Sequence, residues 1–185
     1  MRYIKVIILL GLFCFPGQIS AQEEIREVAQ YDKISVGIGV GLDHGGFGGN
    51  LLVYPAKPVG LFVGGGYAFA GLGVNAGVKI RFVSRRDPTP RINPYLIGMY
   101  GYNAVIVVFG AAEYNKFFYG PTVGIGIDFP KLFLNSGYWS IALLVPIRGP
   151  EAQEYIDDLE QNHGFDFKIG LLPVAISLGY RFFLF

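Results

Sequence analysis

The sequence predicts an all-β chain: a closed antiparallel up-and-down transmembrane β-barrel of about eight strands after a cleaved N-terminal signal peptide. Three observations predict it. The first is alternation. "KISVGIGVGLD", residues 33–43, sets Ile34, Val36, Ile38, Val40 and Leu42 on one face and Ser35, Gly37, Gly39 and Gly41 on the other. A strand covering a soluble core carries charged or hydroxyl side chains on its second face, not glycine. The second is composition: charged residues make up only 16% of the 185, against roughly 25% in an average globular domain, while Gly reaches 27, Phe 16 and Tyr 12. The third is a pair of uncharged 21-residue windows, 58–78 and 92–112, long enough to span lipid as helices. The first holds seven glycines and the second Asn93, Pro94 and Asn103, and period-2 alternation recurs where a helix would show none.

Residues 1–21 are read separately. Arg2 and Lys5 precede an apolar run from Val6 to Phe15, a break at Pro16-Gly17 and the small residues Ser20 and Ala21, the layout of a secretory signal peptide cut after Ala21. Cys14, the only cysteine, falls inside it, so thiolate metal ligation and disulfides are not expected in the mature chain. Residues 22–31, "QEEIREVAQY", are polar and read as a periplasmic tail; residues 32–185 read as the barrel domain.

Within 32–185, eight strands are expected to begin near 33, 47, 61, 72, 94, 118, 138 and 167. The cleanest are "LGVNAGVKIRF", "TVGIGIDF", "WSIALLVPI" and "VAISLGYRF". Their apolar sets are Leu72 to Phe82, Val123 to Phe129, Trp139 to Ile147 and Val174 to Phe182, each taken at every second residue. The connectors carry the Gly, Pro, Asn and Asp chemistry of turns.

A β-segment enters hydrocarbon only when its edges are closed, because each unpaired backbone group costs several kcal/mol there. Such a barrel is apolar outside and polar or small inside, and eight strands leave an interior just wide enough for side chains. Glycine on the second face relieves crowding in that lumen. A soluble barrel would reverse the faces. The signal peptide, the alternating strands, "NPYLIGMYGY" at 93–102 and the terminal "ISLGYRFFLF" resemble the small outer-membrane β-barrel proteins of Gram-negative bacteria, the group that includes OmpA, OmpX and OmpW. That resemblance implies an outer-membrane location with both termini periplasmic. It also implies contact with outer-membrane lipids, and a barrel-assembly machinery reading the terminal aromatic, Phe185. "FFLF" departs from phase, since the outward set runs through Tyr180 and Phe182. The outer connectors are then 43–46, 70–71, 109–117 and 148–166, and the periplasmic ones 55–60, 84–93 and 130–137.

Four charged residues, Lys79, Arg81, Asp128 and Arg181, fall on the lumen phase towards the periplasmic mouth. Burial of an unpaired charge is costly, so Asp128 is expected to pair with Arg81 or Arg181, as a salt-bridge plug rather than an ion-selective ring. In the outer loop 148–166, Pro150 marks a helix start, Tyr155 and Leu159 lie one turn apart and Gly164 marks a stop. Its acids, Glu151, Glu154, Asp157, Asp158 and Glu160, read as a solvated face or a contact for a surface partner. His44 and His163 are expected as exposed loop residues; with Asp43 and Asp157 they are the sole candidates for a metal site or an acid–base pair. No serine stands at short, ordered spacing from a histidine, and Ser177 is expected inside the lumen. Residues 84–91, "SRRDPTPR", read as a solvated basic turn, and Tyr95, Tyr100, Tyr138 and Trp139 suit interfacial girdles or, equally, ordinary packing.

With a formal net charge of +1, the chain carries no polyanion footprint and nucleic acid is not an expected partner. No cofactor, metal or catalytic residue is expected. The function expected is a structural or surface-interaction barrel with a largely sealed lumen. The alternatives are a narrow channel for small or hydrophobic solutes and, ranked last, an envelope-lipid enzyme dependent on His44 or His163.

Overall fold

The computed structural model describes residues 33–82, 92–108, 110–130, 137–163, 165 and 170–184. The stretches expected to form a signal peptide (1–21), a periplasmic tail (22–31) and a basic turn (84–91), and the expected assembly signal Phe185, lie outside the described residues. Eight strands close into one antiparallel barrel in chain order, with β1 pairing β8 to complete the ring. They are β1 (Ile34–Gly41), β2 (Gly46–Ala56), β3 (Val59–Tyr67), β4 (Leu72–Arg81), β5 (Asn93–Ile106), β6 (Lys116–Phe129), β7 (Gly137–Pro146) and β8 (Ala175–Phe183). Every connection joins neighbours in the ring, which is up-and-down topology.

Seven strands start within two residues of the positions that alternation predicts; β8 starts at Ala175 rather than near 167. Pro173 has no N–H to give a ladder, and Phe165 and Leu171 pack instead on an apolar cluster shared by β5, β6 and the helix of the preceding connector. That helix, α1 (Glu151–His163), follows Pro150, whose carbonyl accepts the Gln153 and Glu154 amides at 3.0 and 2.9 Å.

Alternation decides which face is buried. Outward positions such as Ile38, Val63, Val74, Ile125 and Ile176 are exposed, the last to 72%. Inward positions, including Leu52, Phe62, Ile97, Met99 and Leu144, form the core inside the barrel. Tyr180 has outward phase but is covered by Trp139 and Phe182, its ring lying 5.3 and 4.8 Å from theirs. Tyr95 and Tyr138, open between girdle and packing, face inward and are buried, because they belong to the inward sets of β5 and β7; Tyr100 is exposed and Trp139 half-buried.

β5 and β6 outrun the other strands, at 14 residues each. A register shift between Tyr102 and Ala104 moves the inward set from odd to even numbers, so Ala104 and Ile106 continue the face that carries Phe118. Helix α1 lays Ala152, Ile156 and Leu159 on that face, and the Tyr155 hydroxyl donates to the Tyr114 carbonyl at 2.9 Å. A second core is thereby built over the hairpin extension.

Candidate functional site: a lumen filled from both ends

Along β2 the inward residues run Asn50, Leu52, Tyr54, and along β4 Asn75, Gly77, Lys79, Arg81. The lumen therefore has a polar layer at the β1–β2 turn end, apolar side chains next, and a charged layer at the end where β1 begins and β8 ends.

In the charged layer Asp128 of β6 accepts from two cations of β4. Lys79 Nζ donates to Oδ1 at 2.7 Å and Arg81 Nε to Oδ2 at 2.8 Å. The odd-numbered inward set of β4 puts Lys79 and Arg81 side by side, which is why one carboxylate meets both. Aromatic rings complete the layer: Lys79 Nζ sits 3.7 Å from the Tyr95 ring centroid, and the Arg81 guanidinium 4.4 Å from that of Tyr54. Arg81 Nη2 also donates to the Tyr138 hydroxyl at 2.5 Å, and the Tyr95 and Ser140 hydroxyls lie 2.9 Å apart. All of these charges are buried, Lys79 to 2% exposure. Of the two partners expected for Asp128, Arg81 makes the pair and Arg181 does not; Lys79 joins as a second cation.

In the polar layer a single turn of 3-10 helix, Leu42–His44, folds into the lumen and does not stand over the mouth. Asp43 and His44 are buried, His44 to 1% exposure, which corrects the expectation of exposed loop residues. The reason is steric. Gly41, Gly45 and Gly46 take φ of 144°, 72° and 101°, backbone conformations that glycine alone adopts readily, and they turn the chain inward and out again. The seat is walled by glycine as well: a Cβ on Gly179 would meet His44 Nε2 at 2.6 Å, and one on Gly64 would collide with the Asp43 carbonyl. The inward glycines thus do more than relieve crowding; they vacate the volume that this turn fills.

Three strands hold the turn by side-chain hydrogen bonds. Asn50 Nδ2 of β2 donates to the Asp43 carbonyl at 3.1 Å, Asn75 Nδ2 of β4 to the Leu42 carbonyl, and Ser177 Oγ of β8 to Asp43 Oδ1. His44 Nδ1 lies 3.0 Å from the same Oδ1 and 3.5 Å from Ser177 Oγ. Burial alone would push the Asp43 carboxyl up, but the hydrogen bonds of His44 and Ser177 and the Arg181 charge hold it below the usual carboxylate range.

A serine, a histidine and an aspartate thus meet, a grouping that spacing in the sequence does not reveal. It is not a nucleophile relay. Ser177 donates to the aspartate, and His44 Nε2, the nitrogen that would take its proton, has no hydrogen-bond partner among the described residues. Arg181 Nε and Nη1 and Asn50 Oδ1 are likewise buried without partners. Arg181 and Asn50 are neighbours: a Cβ on Gly37 would lie 2.6 Å from Asn50 Oδ1 and 3.2 Å from Arg181 Cγ.

The acids Glu151, Glu154, Asp157, Asp158 and Glu160 all lie on the exposed side of α1. Gln153 and Asn162 donate to Asp157 and Asp158 at 2.9 and 2.6 Å. His163 closes the helix, far in sequence from His44, and among the described residues no group of three or more His, Cys, Asp or Glu is placed to hold a metal ion. Comparison with protein-family models, with curated proteins and with solved structures gives no match to this chain.

Proposed function

We propose that this chain is an integral outer-membrane β-barrel of the small Gram-negative type, with a structural or surface-interaction role and a largely sealed lumen. The observation that carries the reading is the inversion of the faces. Branched apolar side chains stand exposed on the outside of all eight strands, while the buried charges among the described residues, Asp43, Lys79, Arg81, Asp128 and Arg181, are inside. In water each exposed Ile, Leu or Val would forgo about 1.5–3 kcal/mol of burial, whereas in hydrocarbon that face is in its preferred solvent. A contiguous apolar band around a whole barrel far exceeds the patches that soluble monomers tolerate. No helix among the described residues is long and apolar enough to cross a membrane; crossing would be by strands. The sealed lumen rests on the inward turn at one end and the Lys79–Asp128–Arg81 cluster at the other.

The surface role rests on α1, which presents five acids to solvent from a hairpin extension beyond the rest of the barrel. Partners would be outer-membrane lipids around the band, the barrel-assembly machinery during insertion, and a surface contact through 148–166.

Fractionation of the full native chain, followed by gel electrophoresis with and without boiling, tests the reading. Recovery with the outer membrane and a heat-dependent shift in mobility are expected. Recovery in the soluble periplasm without a shift overturns it.

A further inference from the structure

We propose that the seat of the Leu42–Gly45 turn is a binding site for a small free oxyanion, phosphate or carboxylate, and that Asp43 occupies it in the docked state as a built-in stand-in. The inference rests on the barrel reading above. It starts from what the seat offers. Three of the side-chain contacts it makes to the turn are donors meeting oxygens: Asn50 Nδ2 to the Asp43 carbonyl, Asn75 Nδ2 to the Leu42 carbonyl, Ser177 Oγ to the Asp43 carboxylate. Three oxygens gathered on one short turn and read by three N–H or O–H donors from β2, β4 and β8 make an oxyanion receptor with its acceptor supplied by the chain itself.

Charge points the same way. Asp128 is engaged by Lys79 and Arg81, so among the described residues Asp43 is the one buried carboxylate left for Arg181. Arg181 keeps Nε and Nη1 unpartnered, although it is buried beside Asn50, whose amide holds the turn. If the turn withdraws, Asn50, Asn75 and Ser177 regain free donors, and the Arg181 charge loses the nearby Asp43 charge that it acts on through space. An anion entering there replaces Asp43 group for group.

The turn is suited to leave. Among the described residues its side-chain attachments are three donor-to-oxygen hydrogen bonds, the 3.5 Å approach of Ser177 Oγ to His44 Nδ1 and the docking of Leu42, with no ion pair to the wall, and His44 Nε2 and Asn50 Oδ1 lie buried without partners. Gly41, Gly45 and Gly46 supply hinges whose backbone is not confined by a side chain. The ligand is a free small anion and not a lipid headgroup, because the site lies inside the ring, where acyl chains attached to the apolar band cannot follow. The apolar layer of Leu52, Phe62, Ile97, Met99 and Leu144 below it makes the seat a closed cup.

The test uses the full chain folded in neutral detergent, with inorganic phosphate as the probe and chloride at equal ionic strength as the control. Diethyl pyrocarbonate modifies accessible imidazole, and peptide mass spectrometry separates His44 from His163. Phosphate is expected to raise the rate of His44 modification saturably, by about tenfold, the effect of losing one hydrogen bond's hold on the turn, with no change at His163. Arg181→Gln is expected to abolish the dependence on phosphate. Gly179→Ala, whose new methyl meets the His44 ring, and independently Gly64→Ala, which meets the Asp43 carbonyl, are expected to raise the rate without phosphate and tighten phosphate binding. A His44 rate indifferent to phosphate in protein that still shows the heat-dependent shift overturns the proposal while leaving the barrel reading intact. So does an unaltered response in Arg181→Gln. Loss of the shift itself is a failure of the barrel reading, not of the site.

Discussion

The Ser177 hydroxyl donates to the Asp43 carboxylate across 134 positions of sequence, tying the last strand to the first turn. Ser177→Ala leaves a buried carboxylate oxygen with His44 alone, and a loss of about 1–3 kcal/mol is expected in urea unfolding from lipid vesicles. The effect has a pH signature. Asp43 titrates below its unfolded value near 3.8, so its stabilisation is complete above that pH and lost as pH falls through the lower folded value. The stability difference between the wild type and Asp43→Asn is expected to be widest at neutral pH and to shrink below about pH 4.

At the other end of the lumen, Asp128→Asn strands Lys79 and Arg81 as buried cations. Breaking such a group by removing one partner costs about 3–5 kcal/mol, read as a lowered urea midpoint. Adding Lys79→Met, which removes one of the stranded charges, is expected to recover part of the loss. A planar-bilayer recording of Asp128→Asn examines the same cluster as a seal: conductance in the variant and none in the wild type is the outcome expected of a plug.

The outer face gives the sharpest contrast between lipid and water. Ile125 is exposed to 59% on β6, midway along an alternating run. In hydrocarbon, Ile125→Lys is expected to cost about 2–4 kcal/mol. On a soluble barrel the same exposed lysine would be within about 0.5 kcal/mol of neutral, so vesicle unfolding of this one variant separates the two.

Helix α1 is expected to come away without taking the barrel with it. Leu159, 1% exposed, is its deepest anchor, and Leu159→Ala costs the docking of α1 about 2–5 kcal/mol. Limited proteolysis is expected to cut the variant within 151–163 while the heat-dependent shift persists. Neutralising Glu151, Glu154, Asp157, Asp158 and Glu160, all exposed, is expected to leave stability nearly unchanged and to act on surface contacts alone.

Strand alternation was legible because a two-faced environment writes itself into the chain with period two, and the lumen charges were legible because they share that phase. What escaped was whatever depends on where a turn points. "DHGG" reads as an exposed hairpin connection, yet its residues are buried in the lumen. A signal was present in the volume: Gly37, Gly39, Gly48, Gly64, Gly66, Gly73 and Gly179 thin out the side chains in one half of an eight-stranded interior, and something must occupy the space. Tyr95 and Tyr138 stayed open between girdle and packing for a related reason, and their inward phase puts them in the packed lumen. The α1 site was legible in its helix signals, while its docking face depended on the register shift in β5.

Because the seat of the first turn is assembled from β2, β4 and β8, the earliest hairpin of the chain is also the last part able to settle. A barrel halted before β8 joins β1 has no Ser177 to receive Asp43. The docked turn is therefore a mark of completed assembly: burial of His44 reports that the ring has closed, in a way that strand content cannot.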